Sequence, residues 1–313
     1  MLGVLTILLS AIFLTFHNLT VRILFSDHWL LGLTMLGGYV QPTLQNSFLL
    51  MFLRMLVVVP LMAALAPKLY SSGLRESKAL LKGDQSVLIQ SIGCGVLMFV
   101  YIAMLYVAIG SIPTGIAMTL FFTYPVFTAL LSWKWFGDRL TRFRWLVMAM
   151  ILVGCALTVP QSEATSSSSV AIGIAASLGS GVIYALYTVL AQQCFEKIHP
   201  VPFTWISFAV TLVLSGLSLL VMPLPTDLAW TPLWIGSIFS GLVSFAGHSL
   251  NNLGIRMVGA TAASMIGSSS PALTALLAWA AIGESIDLIQ SIGIVIVTLG
   301  IVLLSGERRL RQH

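Results

Sequence analysis

Pro125-Val-Phe-Thr-Ala-Leu-Leu-Ser-Trp133 returns 146 residues later as Pro271-Ala-Leu-Thr-Ala-Leu-Leu-Ala-Trp279. In the same register Gly137-Asp138 falls on Gly283-Glu284, Gly154 on Gly300 and Leu157 on Leu303. Apolar sequence produces an Ala-Leu-Leu match by chance, but not Pro, Thr, Trp and Gly together in one register. The chain therefore reads as an internal repeat.

Both copies lie within long apolar runs. Of 313 residues, 58% are hydrophobic and 8% are charged, whereas a soluble domain carries about a quarter charged residues. A helix crosses the hydrocarbon core with about 20 apolar residues, and the sequence offers ten such runs. The first five are Leu2 to Ile23, Ser47 to Leu65, Val87 to Val107, Ile112 to Trp133 and Phe143 to Val159. The second five are Val170 to Gln192, Phe203 to Met222, Leu233 to Leu253, Ala260 to Ile282 and Ile286 to Leu304. Lipid leaves backbone groups no partner outside the segment, so these runs must be helices, and the alternating polarity of a barrel is absent. The expected fold is all-α integral membrane, with an uncleaved first span, because the run from Leu2 has no basic residue before it and exceeds a cleavable signal core.

Short cytoplasmic connectors retain lysine and arginine. The second connector carries Lys68, Arg75, Lys78 and Lys82, and the fourth Lys134, Arg139, Arg142 and Arg144. The sixth has Lys197, the eighth Arg256, and the tail Arg308, Arg309 and Arg311, while odd-numbered connectors have none. This alternation predicts both termini in the cytoplasm. The net charge of +5 thus sits in connectors rather than on a nucleic-acid-binding face. All eight tryptophans lie near span ends or in connectors, as an interfacial belt requires.

Five spans per copy is an odd number, so the second copy is expected to enter the membrane upside down. The basic connector Lys134 to Arg144 corresponds to Ala280 to Gln290, which has two acids and no base. The expected architecture is ten transmembrane helices as two inverted-topology five-helix repeats. Residues 1–160 form the first repeat, 161–168 an external linker, 169–305 the second repeat and 306–313 a basic cytoplasmic tail. Such repeats can exchange inward-closed and outward-closed forms around a site near the midplane.

The segment from Gly259 to Glu284 combines a run of small residues, a helix-breaking proline and a terminal Gly-Glu, and Pro125 to Asp138 keeps the pattern with aspartate. On these motifs the chain resembles the EamA-type members of the drug/metabolite transporter superfamily, along essentially its whole length. Asn18, Arg22 and Arg54 are similar to polar positions that the family keeps in the first two spans. The resemblance implies a transporter of a small organic solute such as an amino acid, an amine or a drug-like molecule. It also implies export, a plasma membrane location (the inner membrane in bacteria) and no cofactor.

Arg54 is the single formal charge placed well inside a span, and such a charge is a functional candidate by default. The bland alternative is an arginine reaching helix-end carbonyls or headgroups; Arg22, near the outer end of its span, is read that way. No carboxylate falls mid-span, so proton coupling through one is not expected. His17 and His248 are left as the titratable groups in spans, or as hydrogen-bonded packing residues. Asp138 and Glu284 are read as acids at helix starts.

Pro125 and Pro271 remove amide donors and free the carbonyls of Phe121 and Gly267, making them candidate gating or helix-break positions. Around them cluster Thr119, Thr123 and Tyr124, with Ser264, Ser268, Ser269 and Ser270. Tyr101, Tyr184, Tyr187, Asn251 and Asn252 could complete a substrate site or simply join helices. The candidate substrate-binding set is Asn18, Arg54, Tyr101, Thr123, Tyr124, Tyr184, Tyr187, His248, Asn252, Ser268 and Ser269.

Rival readings find little support in the residues. An enzyme would need a reactive constellation, and no His-Glu-x-x-His, Gly-x-Ser-x-Gly or metal-ligand set occurs. A channel would need a continuous polar stripe or filter. Cys94, Cys155 and Cys194 have neither metal nor disulfide spacing and read as packing residues. The expected partners are a solute and membrane lipid, with no nucleic acid and with a homodimer left open. The outer connector from Phe25 to Gln45 is expected to form a short interfacial helix over the outer mouth.

Overall fold

A computed structural model describes residues 2–25, 27–41, 43–69, 85–111, 117, 120–137, 140–158, 167–222, 224, 228–282 and 287–310. The basic stretch 70–84, Thr119, Asp138, Glu284, the linker 161–166 and the end of the tail, 311–313, lie outside the described residues.

Eleven helices are present among the described residues. They are α1 (Leu2–Phe25), α2 (Leu44–Leu69), α3 (Gln85–Ser111), α4 (Tyr124–Phe136), α5 (Arg142–Thr158) and α6 (Ser167–Cys194). After these come α7 (Pro200–Val221), α8 (Trp230–Val258), α9 (Ala260–Gly267), α10 (Ser270–Ile282) and α11 (Leu288–Leu310). Six of them, α1, α2, α3, α6, α7 and α8, are long and apolar enough to cross a membrane. The protein is an all-α membrane protein, and among the described residues its one other element is a two-stranded hairpin.

The predicted ninth run is two helices, α9 and α10, separated by a turn at Ser268 and Ser269. A turn at Phe122 and Thr123, 146 residues earlier, precedes α4 in the same way. Pro125 and Pro271 each stand second in the helix after the turn. They therefore do not kink a continuous helix: a proline is tolerated in a first turn because the amide it lacks has no intrahelical partner there. α4 and α10 begin and end 146 residues apart, and α5 and α11 also begin in that register. Gly137 closes α4 in the left-handed conformation, φ 73°, with its amide donating to the Trp133 carbonyl at 3.0 Å.

Packing follows the register. α1 lies against α8 as α6 lies against α3, and α2 meets α8 as α7 meets α3. α1 meets α9 and α10, while α6 meets α4; α2 with α7 and α5 with α11 pair each helix with its own counterpart, and α4 meets α9 of the other half. Backbone polar groups mark the same correspondence. Ser180 of α6 donates to the Tyr101 carbonyl at 2.7 Å, and Ser10 of α1 donates to the carbonyl of Gly247, 146 residues after Tyr101, at 2.8 Å.

Small residues set how closely the helices approach. A Cβ added at Gly154 would lie 2.8 Å from Val297 and 3.0 Å from the Gly293 carbonyl oxygen, and one at Gly300 would lie 2.6 Å from Ile151. These two equivalent glycines build the α5–α11 crossing from both sides.

The connector after α1 is not an interfacial helix. His28–Leu30 and Thr34–Leu36 pair as antiparallel strands β1 and β2, with Trp29 opposite Met35. Leu31 and Gly32 are both left-handed, φ 51° and 69°, and successive positive-φ residues give a hairpin the twist its strands need. The hairpin is tied to α10 by the Leu31 amide, which donates to the Ala281 carbonyl at 2.7 Å.

Gly154→Val and Gly300→Val are each expected to destabilise the protein by about 1–3 kcal/mol, the scale of overpacking. Gly93→Ala, where an added Cβ meets nothing within 4 Å, is the control. Thermal unfolding in detergent micelles reads the difference.

Candidate functional site

Two polar groups of side chains lie within the bundle, and the first is built on Arg54. Arg54 stands in the interior of α2 and is 3% exposed, so it reaches neither a helix end nor a headgroup. Its Nη1 donates to His17 Nε2 on α1 at 2.6 Å, and His17 Nδ1 lies 2.7 Å from Ser240 Oγ on α8. Guanidinium has donors and no acceptor, so Nε2 of His17 must accept. The proton of the neutral ring is then on Nδ1 and is donated to Ser240. Three helices are joined by this relay, and it requires His17 to be uncharged. Gly241 lets α8 approach, since an added Cβ would lie 3.4 Å from the Arg54 carbonyl oxygen and 3.7 Å from its Cγ.

Asn18, the next residue on α1, is partly buried and takes no part in the relay. His248 stands edge-on to Phe208 with ring centroids 5.6 Å apart, and is within electrostatic range of Arg54 and His17.

The second group is aromatic. Tyr184 on α6 is its hub, with ring centroids 5.0 Å from Tyr101, 4.7 Å from Tyr124, 5.6 Å from Phe121 and 6.0 Å from Tyr187. Tyr101 from α3, Tyr124 from α4 and both α6 tyrosines thus meet as one cluster, and Tyr101 is also within electrostatic range of Arg54. Tyr184 and Tyr187 share a face at helical spacing, as expected. The Tyr187 hydroxyl donates to Asn252 Oδ1 at 3.3 Å, and Asn252 Nδ2 donates to Thr204 Oγ1 at 2.8 Å. Asn251 lies beside the Tyr184 hydroxyl.

The two chain breaks adjoin this cluster. The Phe121 carbonyl faces α6 at Gly181, where an added Cβ would come within 3.0 Å of its oxygen. The Tyr124 hydroxyl crosses to the Ser264 carbonyl at 3.2 Å, linking the break in one half to α9 in the other. Thr123 and Ser268 satisfy backbone rather than open space: their hydroxyls donate to the carbonyls of Leu120 at 2.7 Å and Ser264 at 3.0 Å. The Ser268 carbonyl accepts from Cys155 Sγ at 2.9 Å. Ser269 Oγ is buried and lacks a hydrogen-bond partner. Among the described residues no cluster of His, Cys, Asp and Glu could hold a metal ion, and the three cysteines are buried and form no disulfide.

Sequence reasoning did not find Ser240 or Thr204 as partners in these groups, and it named Phe121 for its carbonyl but not for its ring. A serine or threonine in an apolar helix carries no sign of the distant neighbour it meets, whereas Arg54 announced itself as a lone charge.

The model of the EamA-like transporter family matches the chain twice, over residues 30–159 and 171–306. The chain belongs to the EamA-like transporter family. It is 49% identical over 310 residues to an uncharacterized transporter of Synechocystis sp. (strain ATCC 27184 / PCC 6803 / Kazusa), covering 98% of this chain and 94% of that one. The threonine/homoserine exporter RhtA of Escherichia coli (strain K12) is 26% identical over 193 residues, 59% of this chain and 60% of its own. One solved crystal structure superposes with a TM-score of 0.73 at 17% identity, covering 97% of this chain and 98% of the other, a likeness of fold alone. The EamA-like chain is thus a multi-pass integral membrane transporter of small solutes, inner-membrane in a bacterium, and its family points away from enzyme activity.

His17→Ala leaves the buried guanidinium without the acceptor it has. It is expected to cost about 2–3 kcal/mol, the upper range for orphaning a buried donor. Ser240→Ala and Asn252→Ala are expected to cost about 1 kcal/mol each, the scale of an interhelical hydrogen bond. Chemical unfolding of the purified protein ranks the three.

Proposed function

We propose that this EamA-like protein is an alternating-access exporter of a small organic metabolite, such as an amino acid, an amine or a drug-like solute. Its ten spans form two five-helix repeats of inverted topology, residues 1–160 and 169–305, with both termini cytoplasmic. In this assignment each chain break, with the segments on either side, counts as a single span.

The observation that carries the reading is the exchange of packing partners between halves. Among the described residues, α1–α8 has its counterpart in α3–α6 and α2–α8 in α3–α7, while α2–α7 and α5–α11 are their own counterparts. A bundle built this way has two conformations of nearly equal energy, related by swapping the roles of its halves, which is the physical basis of alternating access. The basic connectors of one half against the acidic counterpart of the other support the inversion. Export is supported by the RhtA similarity, and the absence of a mid-span carboxylate supports transport without proton coupling.

The site lies where the halves meet, among Arg54, Tyr101, Tyr124, Tyr184, Tyr187, His248 and Asn252, with Asn18, Thr123, Ser268 and Ser269 at its edges. Pro125 and Pro271, each starting a helix after a break, are the positions where a gate would hinge.

Purified protein in liposomes preloaded with L-threonine, L-phenylalanine, spermidine or ethidium is the test. Saturable exchange of at least one of these is expected, unchanged by a pH gradient. Flux linear in concentration with an accompanying ionic current would show a channel, and chemical conversion of the solute would show an enzyme. Folded protein that moves none of them would overturn the transporter reading.

A further inference from the structure

The guanidinium of Arg54 uses only part of its donor set. Nη1 is bound to His17, while Nε and Nη2 are buried and have no hydrogen-bond partner. These two nitrogens share one edge of the plane, the edge that meets both oxygens of a carboxylate in a parallel fork. A buried cation without a counter-ion is strongly unfavourable, and no acid of the sequence falls mid-span.

The charge is confined to one of two similar crossings. Gly95 on α3 and Gly241 on α8 are 146 residues apart and mark equivalent crossings. An added Cβ at Gly95 would lie 2.7 Å from Val210 Cβ and 3.1 Å from the Cα of Ser207 on α7, and one at Gly241 would lie 3.2 Å from Val58 Cγ2 and 3.4 Å from the Arg54 carbonyl oxygen on α2. Beside a valine in each case, one crossing carries serine and the other arginine. The arginine breaks a symmetry that the surrounding helices keep.

Its surroundings suit the rest of an organic acid. Tyr101 and Tyr106 are within electrostatic range of Arg54, and Tyr101 opens onto the aromatic cluster through Tyr184. A solute anchored by its carboxylate at Arg54 would lay its apolar body against tyrosine faces, which bring large contact area and a polar tip.

We propose that the unpaired, buried Nε/Nη2 edge of Arg54 is the anchor for the carboxylate of the transported solute, which is therefore a small carboxylate with an apolar or aromatic body. This rests on the transporter reading above. His17 acts through Arg54, holding the guanidinium by Nη1 so that the other edge is left without a partner.

The test uses full-length protein in lipid nanodiscs for binding and in liposomes for exchange. The probes are acetate, 3-phenylpropanoate, L-threonine and L-phenylalanine, with acetamide and 3-phenylpropanamide as uncharged isosteres. At least one carboxylate is expected to raise the thermal midpoint, and each binding acid should exceed its amide by at least about tenfold, the scale of one charge-assisted hydrogen bond. Arg54→Lys keeps the charge and loses the fork, and should weaken acid binding by about tenfold or more; Arg54→Gln should abolish it. If Arg54→Gln does not fold, Arg54→Lys carries the comparison.

No stabilisation by any of the four acids, equal binding of an acid and its amide, or undiminished acid binding by folded Arg54→Lys overturns the anchor. Exchange of solutes lacking a carboxylate, unaffected by Arg54→Gln, also overturns it but leaves the transporter reading intact. Acid binding that depends on Arg54 in a protein that exchanges nothing upholds the anchor and overturns the transporter reading.

Discussion

A backbone amide or carbonyl in hydrocarbon has no solvent to turn to, and the rest of this structure depends on that constraint. It forces the apolar runs into helices, and it makes any interruption a place where side chains must replace the missing bonds. At the turn of Phe122 and Thr123 the Thr123 hydroxyl takes the Leu120 carbonyl, and at Ser268 and Ser269 the Ser268 hydroxyl takes that of Ser264. Each break then has partners in other helices: Gly181 brings α6 against the Phe121 carbonyl, and Cys155 reaches the Ser268 carbonyl. The breaks are therefore supported points in the bundle, and tyrosines gather beside them because an aromatic body fills the space while its hydroxyl finds a partner.

Much of the fold could be read from the sequence because its signals are local and periodic. Apolar length located the helices, and the prolines located both interruptions, since a missing amide donor acts on its own turn. The prolines did not reveal that each would begin a new helix, a matter of whether the preceding turn stays helical. The hairpin was missed because its apolar composition masked a Leu31-Gly32 turn that only backbone dihedrals disclose.

The site was less legible, for a physical reason. Arg54 stands out in any reading because a mid-span charge is costly. Its partners His17 and Ser240 come from α1 and α8, and their approach is a property of packing rather than of spacing. The tyrosines were visible as polar-ended residues in spans, and helical spacing placed two on one face. That Tyr184 would join Tyr101, Tyr124 and Tyr187 depends on how α3, α4 and α6 meet. Thr123 and Ser268 show the opposite case, since their hydroxyls are bound to their own helices.

Symmetric packing with an asymmetric charge is the combination that gives this bundle its character. In the proposed alternating-access reading, equivalent crossings would let the halves exchange roles, while Arg54 against Ser207 gives one crossing a chemistry the other lacks. All of this requires the two halves to stand in the membrane in opposite senses. Thr141, just before α5, and Asp287, just before α11, are 146 residues apart and occupy equivalent places in the two halves. In a background lacking Cys94, Cys155 and Cys194, single Thr141→Cys and Asp287→Cys variants can be labelled in intact cells with a membrane-impermeant maleimide. Inverted repeats predict labelling of Asp287→Cys from outside and of Thr141→Cys only after permeabilisation; labelling of both from the same side would contradict the account.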